Sequence, residues 1–358
     1  MKKTKVLIVL PSYAIGGAEK VILSYFKNFQ SSDLILKLLI INKKNFPNKI
    51  SSKDVIKLSN SKFIYALPKV IKIIKKDQFN IVLSTFPNIS AILLALKHFR
   101  IINCKILIRQ PNEINMSLRG ELKLIFLKYI YKYFIKFANA VIVTSLFMRD
   151  EALKNNVKPN KIFILRNPID VKETRKKIKP IKQFNNKVNL IFVGRLVFQK
   201  GVDRILKFFA NNNNLGLTII GDGNQKQRLL KIANNLGVLE KVIFVGQKIR
   251  PYSYIAGADY FILPSRWEGL PNCVLESLAL GTPVITTKDV HSLIDFKKNI
   301  ADKSIIIFKD IEELGKKIKK LHKRKDYRKP KLRKSLLINY TSNNSYNREL
   351  NKIMLNLV

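Results

Sequence analysis

The chain alternates between short apolar runs and longer stretches in which apolar and polar positions recur at helical spacing. Lys5-Val-Leu-Ile-Val-Leu10 is uninterrupted after its first residue, as expected for a strand buried on both faces of a parallel sheet. Leu36–Ile41, Ile81–Ser84, Lys105–Ile108, Ala140–Thr144 and Ile162–Leu165 read the same way. Between them lie helical patterns at Ala18–Phe29, Pro68–Lys76 and Ile89–His98. Strands separated by helices form right-handed βαβ units.

The pattern stops at Arg166-Asn-Pro-Ile-Asp170 and a basic, weakly periodic stretch from Lys172 to Lys187, and then restarts. Strands are expected at Val188–Val193, Leu217–Ile220, Val242–Val245, Tyr260–Leu263 and Pro283–Thr286. Helices fall at Val202–Phe209, Gln225–Leu236 and Pro251–Ala256, and one more runs from Asn272, as its cap, to Leu280, with Gly281 as its stop. The fold class is therefore α/β, with two Rossmann-like, doubly wound domains facing a cleft and ligands at the carboxyl ends of the strands. The expected division is 1–170 for the first domain, 171–187 for a linker and 188–334 for the second domain. A final segment, 335–358, looks helical near Arg348–Leu357.

Composition adds bounds. At 358 residues and 47% hydrophobic the chain can build two cores. The formal charge is +43, from 67 Lys and Arg against 24 Asp and Glu, which fits phosphate-rich partners or anionic lipid. Residues 1–170 hold 30 basic and 9 acidic side chains and the remainder 37 and 15. So even a spread favours general bias over a nucleic-acid stripe, and no nucleic-acid partner is expected. Cys104 and Cys273 lie in different halves, which suits buried thiols in a reducing cytosol better than a disulfide or zinc site. Only Val6–Leu10 follows the basic start before Pro11, and no stretch approaches a spanning helix. The expected location is cytoplasmic.

Several loops carry candidate chemistry. Gly16-Gly17 sits between the first strand and its helix, where free N–H groups can meet an anion; a tight turn alone would explain the pair equally well. In "VGRLVFQKG" Arg195 and Lys200 bracket a strand-to-helix loop and suit a diphosphate leaving group, or a solvated surface. "IGDG", Ile220–Gly223, is another glycine-bearing turn. The stretch "SRWEGLPNCVLESLALGTPVIT" places Glu268 in an irregular segment and Glu276 on a helix, with Gly269 between them.

Glu268-Gly-Leu-Pro-Asn-Cys-Val-Leu-Glu276 resembles the E-x7-E motif of retaining glycosyltransferases of family 4. "GTPVI", "VGRLVFQKG", "IGDG", "FVGQ" and "GGAE" match that family in order, and the resemblance covers the whole chain, most specifically 188–287. It implies a GT-B fold, no metal and no cofactor beyond a nucleotide-sugar donor, UDP-linked by the form of "EGLPN". The first domain would bind the acceptor and the second the donor. By the same resemblance Arg195 and Lys200 hold the diphosphate, Glu276 the ribose and Glu268 the transferred sugar. Backbone of Gly269 and Leu270 assists, Gly16 and Gly17 approach the donor phosphates, and Gly246 and Gln247 lie near the base. The C-terminal segment would cross back to the first domain.

Two departures stand out. Many relatives carry a histidine after the strand here represented by Lys105–Ile108; this chain has Arg109-Gln-Pro-Asn112, leaving Arg109 or Asn112 as the possible donor or acceptor contact. "TKDVHSLIDF" replaces a Gly-Gly that often follows the Thr-Pro-Val-Ile strand. The stretch Leu118–Phe137 spaces Lys123, Lys128, Lys132 and Lys136 among apolar residues, the pattern of a core helix or of one lying on an anionic bilayer. The expected function is transfer of a sugar to a lipid-linked glycan acceptor at the inner membrane face. A basic nucleic-acid binder and a non-catalytic partner of another transferase are the rival readings.

Overall fold

A computed structural model describes residues 3–13, 16–43, 53–60, 62–116, 122–185, 187–298, 304–318, 320–321, 335–337, 340 and 342–358. The chain divides into two compact units, Met1–Pro168 with Thr341–Val358, and Ile169–Tyr340.

The first unit is built on a seven-stranded parallel sheet: β1 (Thr4–Ser12), β2 (Leu34–Asn42), β3 (Val55–Lys57), β4 (Ile81–Ser84), β5 (Lys105–Arg109), β6 (Ala140–Val143) and β7 (Ile162–Ile164). Their order is β3-β2-β1-β4-β5-β6-β7, so the direction of winding reverses between β1 and β4. Leu7, Val9, Val82, Ile106 and Val141 enter one core, and Val6, Ile8, Leu83, Leu107 and Ile142 the other. With helices burying both faces, the strands need no polar alternation.

The helix Phe63–Lys76 starts a turn earlier than expected and holds Pro68 internally. Phe63 and Ala66 are buried, and their packing outweighs the one backbone bond that proline cannot make. The last helix, Asn343–Leu355, belongs to this unit. Ser342 caps it through the Ser345 N–H, and Tyr346, Leu350 and Met354 enter the core beside β1 and β2. Tyr25 Oη donates to Asn351 Oδ1 at 2.6 Å and Asn347 Nδ2 to the Asn28 carbonyl at 3.0 Å.

The second unit repeats the plan with six parallel strands: β8 (Val188–Val193), β9 (Leu215–Ile220), β10 (Val242–Gly246), β11 (Tyr260–Leu263), β12 (Val284–Thr287) and β13 (Ile305–Phe308), in the order β10-β9-β8-β11-β12-β13. Its reversal lies between β8 and β11. Ile191, Phe261 and Leu263 face one core; Leu190, Phe192 and Ile262 face the other.

The described residues of the stretch expected as a linker, 171–187, belong to the second unit. Asp170 caps a short helix, Val171–Arg175; Val171 and Ile178 join the apolar core, and Arg175 donates to the Ala279 carbonyl at 2.6 Å. Its few apolar residues are spaced irregularly, so no periodicity marks it.

Candidate functional site

The carboxyl ends of β8 and β11 lie side by side where the winding reverses, the position at which loops of an open α/β sheet part to admit a ligand. The loop after β8 carries Gly194, Arg195 and the short turn Phe198–Lys200. Gly201, with φ +65°, closes that turn, and a Cβ there would stand 2.2 Å from the Pro264 carbonyl oxygen. Only glycine fits both the backbone angle and the approach. The Arg266 N–H donates to the Gln199 carbonyl at 2.8 Å, tying this loop to the one after β11.

Lys200 and Glu268 meet in that junction. Lys200 Nζ is 2.5 Å from Glu268 Oε1, with 13% and 6% of the two side chains exposed. The lysine stem passes over Gly194, which has no side chain to block it. Burial by itself would lower the Lys200 pKa, but the Glu268 charge and hydrogen bond overcome it and hold the ammonium above its ordinary value; exposed Arg195 is close enough to oppose this. Ser265 Oγ donates to Glu268 Oε1 at 2.9 Å and Gln199 Nε2 to Oε2 at 3.4 Å. The carboxylate therefore serves as an oriented hydrogen-bond acceptor.

Glu276 lies on the helix Asn272–Ala279. Pro271, rather than Asn272, takes the cap position, and no side-chain cap bond forms; the extended angles fixed by the proline ring set the entry. Gly281 ends the helix as expected, donating to the Leu278 carbonyl while Thr282 donates to Ser277. Glu276 is buried at 8% exposure, with Tyr252 Oη 3.5 Å from Oε1. Cys273, one turn earlier, is pushed up to about 12 by burial; it also feels Lys200, which lowers it, and Glu268 and Glu276, which raise it. These four side chains thus share one electrostatic neighbourhood.

The surrounding frame is polar and bonded. Arg266 grips Asp203 with both nitrogens at 2.9 and 2.7 Å and lies over the Phe198 ring at 3.9 Å. Burial favours protonation of Asp203, but the Arg266 bonds win and hold its carboxyl below the usual range. Arg204 bonds Asp289 at 2.6 Å, and Ser292 Oγ donates to the Gly269 carbonyl. Gly269 and Leu270 are both buried. Gly221, after β9, accepts no Cβ, since one would stand 1.9 Å from the Gly194 carbonyl oxygen; its N–H donates to Gly246 at the end of β10. Gln247 follows, exposed.

The first unit's candidates are arranged differently. Gly16 caps the helix Gly17–Lys27, and Glu19 folds its carboxylate back so closely that a Cβ on Gly16 would stand 2.2 Å from Oε2. The anion at this helix start is one of the chain's own. Arg109 is 1% exposed and bonds Asn167 Oδ1 at 2.5 Å, while its Nε and second terminal nitrogen meet no partner. In this position the guanidinium braces the interior and is shut off from a ligand, leaving half-buried Asn112 as the accessible candidate. His98 packs among Phe99, Phe134 and Phe137; His322 lies outside the described residues.

Sequence reading missed Ser265, Gln199, Tyr252, Asp203 and Arg266. Gln199 adjoins Lys200, and Ser265 and Arg266 lie within three positions of Glu268; that proximity was their only signal. Among the described residues no three His, Cys, Asp or Glu side chains gather as a metal site, and no helix is long and apolar enough to cross a membrane.

Comparison with known proteins agrees with this fold. Residues 173–336 match the family described as glycosyl transferases group 1, and residues 42–173 match glycosyltransferase family 4. An uncharacterized glycosyltransferase of Methanocaldococcus jannaschii is 30% identical over 236 residues, 61% of this chain and 58% of that protein. The N-acetylgalactosamine-N,N'-diacetylbacillosaminyl-diphospho-undecaprenol 4-alpha-N-acetylgalactosaminyltransferase of Campylobacter jejuni is 32% identical over 133 residues, 37% of this chain and 36% of that enzyme. The matched region therefore spans little more than half of the first relative and about a third of the second. Anabaena HepE, solved with UDP and glucose, superposes with a TM-score of 0.75 at 15% identity, covering 99% of this chain and 100% of that one. The two units have the architecture of the Rossmann-like domains of the GT-B fold, and each carries a match to a glycosyltransferase family model.

Proposed function

We propose that the protein is a retaining glycosyltransferase that moves a sugar from a UDP-linked donor, a UDP-N-acetylhexosamine, to a lipid-linked glycan acceptor in surface-polysaccharide synthesis. The observation that carries this reading is the Lys200–Glu268 pair at the winding reversal of the second unit, with Glu276 in the same electrostatic neighbourhood. The Campylobacter relative is named for transfer onto a diphospho-undecaprenol substrate and HepE for a complex with UDP; both support the donor and acceptor classes proposed.

In this mechanism Arg195 and Lys200 take up the charge that develops on the departing diphosphate. Glu276 accepts from the ribose hydroxyls and Glu268 from those of the transferred sugar, helped by backbone of Gly269 and Leu270. Gly246 and Gln247 border the base. The incoming hydroxyl attacks on the face that the phosphate leaves, so configuration is retained. The chain supplies no nucleophile, and no metal is assigned.

The helix Leu122–Phe134 is assigned to the membrane surface. Phe126, Tyr129 and Tyr133 are exposed at spacings that place them on one face. Lys128, Lys132 and Lys136 flank them half-buried, with Lys136 Nζ 4.2 Å from the Tyr133 ring centre. Such a face suits the boundary between headgroups and acyl chains; Lys123 is not among the residues whose side chains are described.

The test is a thermal-shift screen against UDP, GDP, ADP and their sugars. A ligand at about 100 times its dissociation constant adds about 2.7 kcal/mol. Stabilisation by uridine nucleotides alone supports the reading; stabilisation by another base overturns the donor, and no response to any nucleotide overturns the function.

A further inference from the structure

A second basic site lies in the first unit, at the opposite end of its sheet from the loops discussed above. A cavity of about 520 Å³ opens at the amino ends of β4, β5 and β6, lined by Lys75, Lys97, Lys105, Cys104, Asn139 and Val358 among others. None of the described side chains lining it is acidic. Lys97 is half-buried and donates to the Phe137 carbonyl at 3.3 Å and to Asn139 Oδ1. Lys161 donates to the neighbouring Ala138 carbonyl at 3.1 Å.

These ammonium groups are crowded. Burial, then Lys161, then Lys105 depress the Lys97 pKa, and burial, then Lys158 and Lys105 depress that of Lys161. Repulsion among like charges in a partly buried setting is a standing cost. An anion placed between them would remove it and would gain charge-assisted hydrogen bonds. The volume lies within the range of small-molecule sites and exceeds the needs of a bare ion.

We propose that this cavity is a phosphate-binding site, with Lys97 and Lys105 holding a phosphate group whose attached polar moiety fills the remaining space. The residues that bound it lead into the aromatic face of Leu122–Phe134: the Phe137 carbonyl that fixes Lys97 follows that helix, and Phe137 packs against His98 and Phe134. A phospholipid headgroup and a free phosphate ester are the two sources of this one chemistry. The inference is independent of the nucleotide-sugar reading, since it uses no residue of the second unit.

The experiment titrates the full chain with inorganic phosphate and with glycerol 3-phosphate at constant ionic strength set by chloride, reading the melting temperature. Wild type and Arg195→Ala should both show a saturable rise, while exposed Lys105 changed to alanine (Lys105→Ala) should weaken it about tenfold, the scale of one charge-assisted bond. Lys75→Ala provides a second variant that leaves the bonded Lys97 untouched. A response lost in Arg195→Ala but kept in Lys105→Ala would place phosphate in the second unit and overturn the inference, as would equal effects of phosphate and chloride. Phosphatidylglycerol vesicles distinguish the sources. Vesicle binding that falls in Lys105→Ala together with the phosphate response assigns a headgroup; vesicle binding unchanged while that response is lost assigns a free phosphate ester.

Discussion

Lys200 Nζ and Glu268 Oε1 stand 2.5 Å apart, joined from loops that follow two different strands, β8 and β11. Sixty-eight residues separate them in the chain, and the pair bridges the point where the sheet's winding reverses. Removing the carboxylate leaves an ammonium buried without its partner. Glu268→Gln should destabilise the protein by about 3 kcal/mol, measured by urea unfolding.

The same pair has a defined pH window. Its net effect raises the Lys200 pKa above the ordinary lysine value despite burial. Stability from a raised pKa is fully present below the unfolded value, about 10.4, and is lost as pH rises through the folded one. The stability that the wild type draws from this pair should therefore stay level through neutral pH and fall only above about 10.4, measured by urea unfolding across the alkaline range.

Arg195 and Glu276 should separate turnover from binding. Arg195 is exposed beside Lys200 and is assigned to charge that appears during reaction; Arg195→Ala should lower kcat by about 100-fold, the effect of losing one such donor, with a smaller change in nucleotide affinity. Glu276→Ala should abolish stabilisation by the nucleotide. Unchanged kinetics and binding in both variants would refute the site.

The Gly201 turn is sterically closed. Gly201→Ala would force a Cβ to within 2.2 Å of the Pro264 carbonyl at φ +65°, and should cost about 2 kcal/mol or more. A lowered melting temperature with weakened nucleotide binding is expected, because the displaced loop carries Lys200.

Both thiols should be inert. Burial pushes Cys104 up to about 11, against the opposing charge of Lys97, and Cys273 up to about 12. At pH 8 neither forms appreciable thiolate, so alkylation should be slow for both. Cys273→Ala should keep full activity, which excludes a nucleophilic role.

The aromatic face of Leu122–Phe134 should govern membrane binding. Tyr129→Ser with Tyr133→Ser should weaken sedimentation with phosphatidylglycerol vesicles at every salt concentration, because apolar burial is lost. Lys132→Ala with Lys136→Ala should weaken it mainly at low salt, where screening is least.

The strands were legible because both faces of each sheet are covered. Val6–Leu10 and Val188–Val193 needed no polar alternation, so continuous apolar runs marked them. β3, three residues long, offers too short a run to stand out. Helix starts were less legible: the entry at Phe63 depends on what Phe63 and Ala66 pack against, and Pro68 pointed the other way. The segment 171–187 looked like a linker because its anchors, such as Arg175 on the Ala279 carbonyl, lie 104 positions away.

Local order along the chain was enough to set two α/β units, their loops and the spacing of Glu268 from Glu276, because periodicity and turn residues act over a few positions. Tertiary structure alone decided which charges meet. It paired Lys200 with Glu268, folded Glu19 over Gly16, turned Arg109 inward to Asn167 and collected lysines around a cavity at the far end of the first sheet. The physical reason is that electrostatic coupling depends on distance and burial in space. Neither quantity is written in the spacing of residues along the chain.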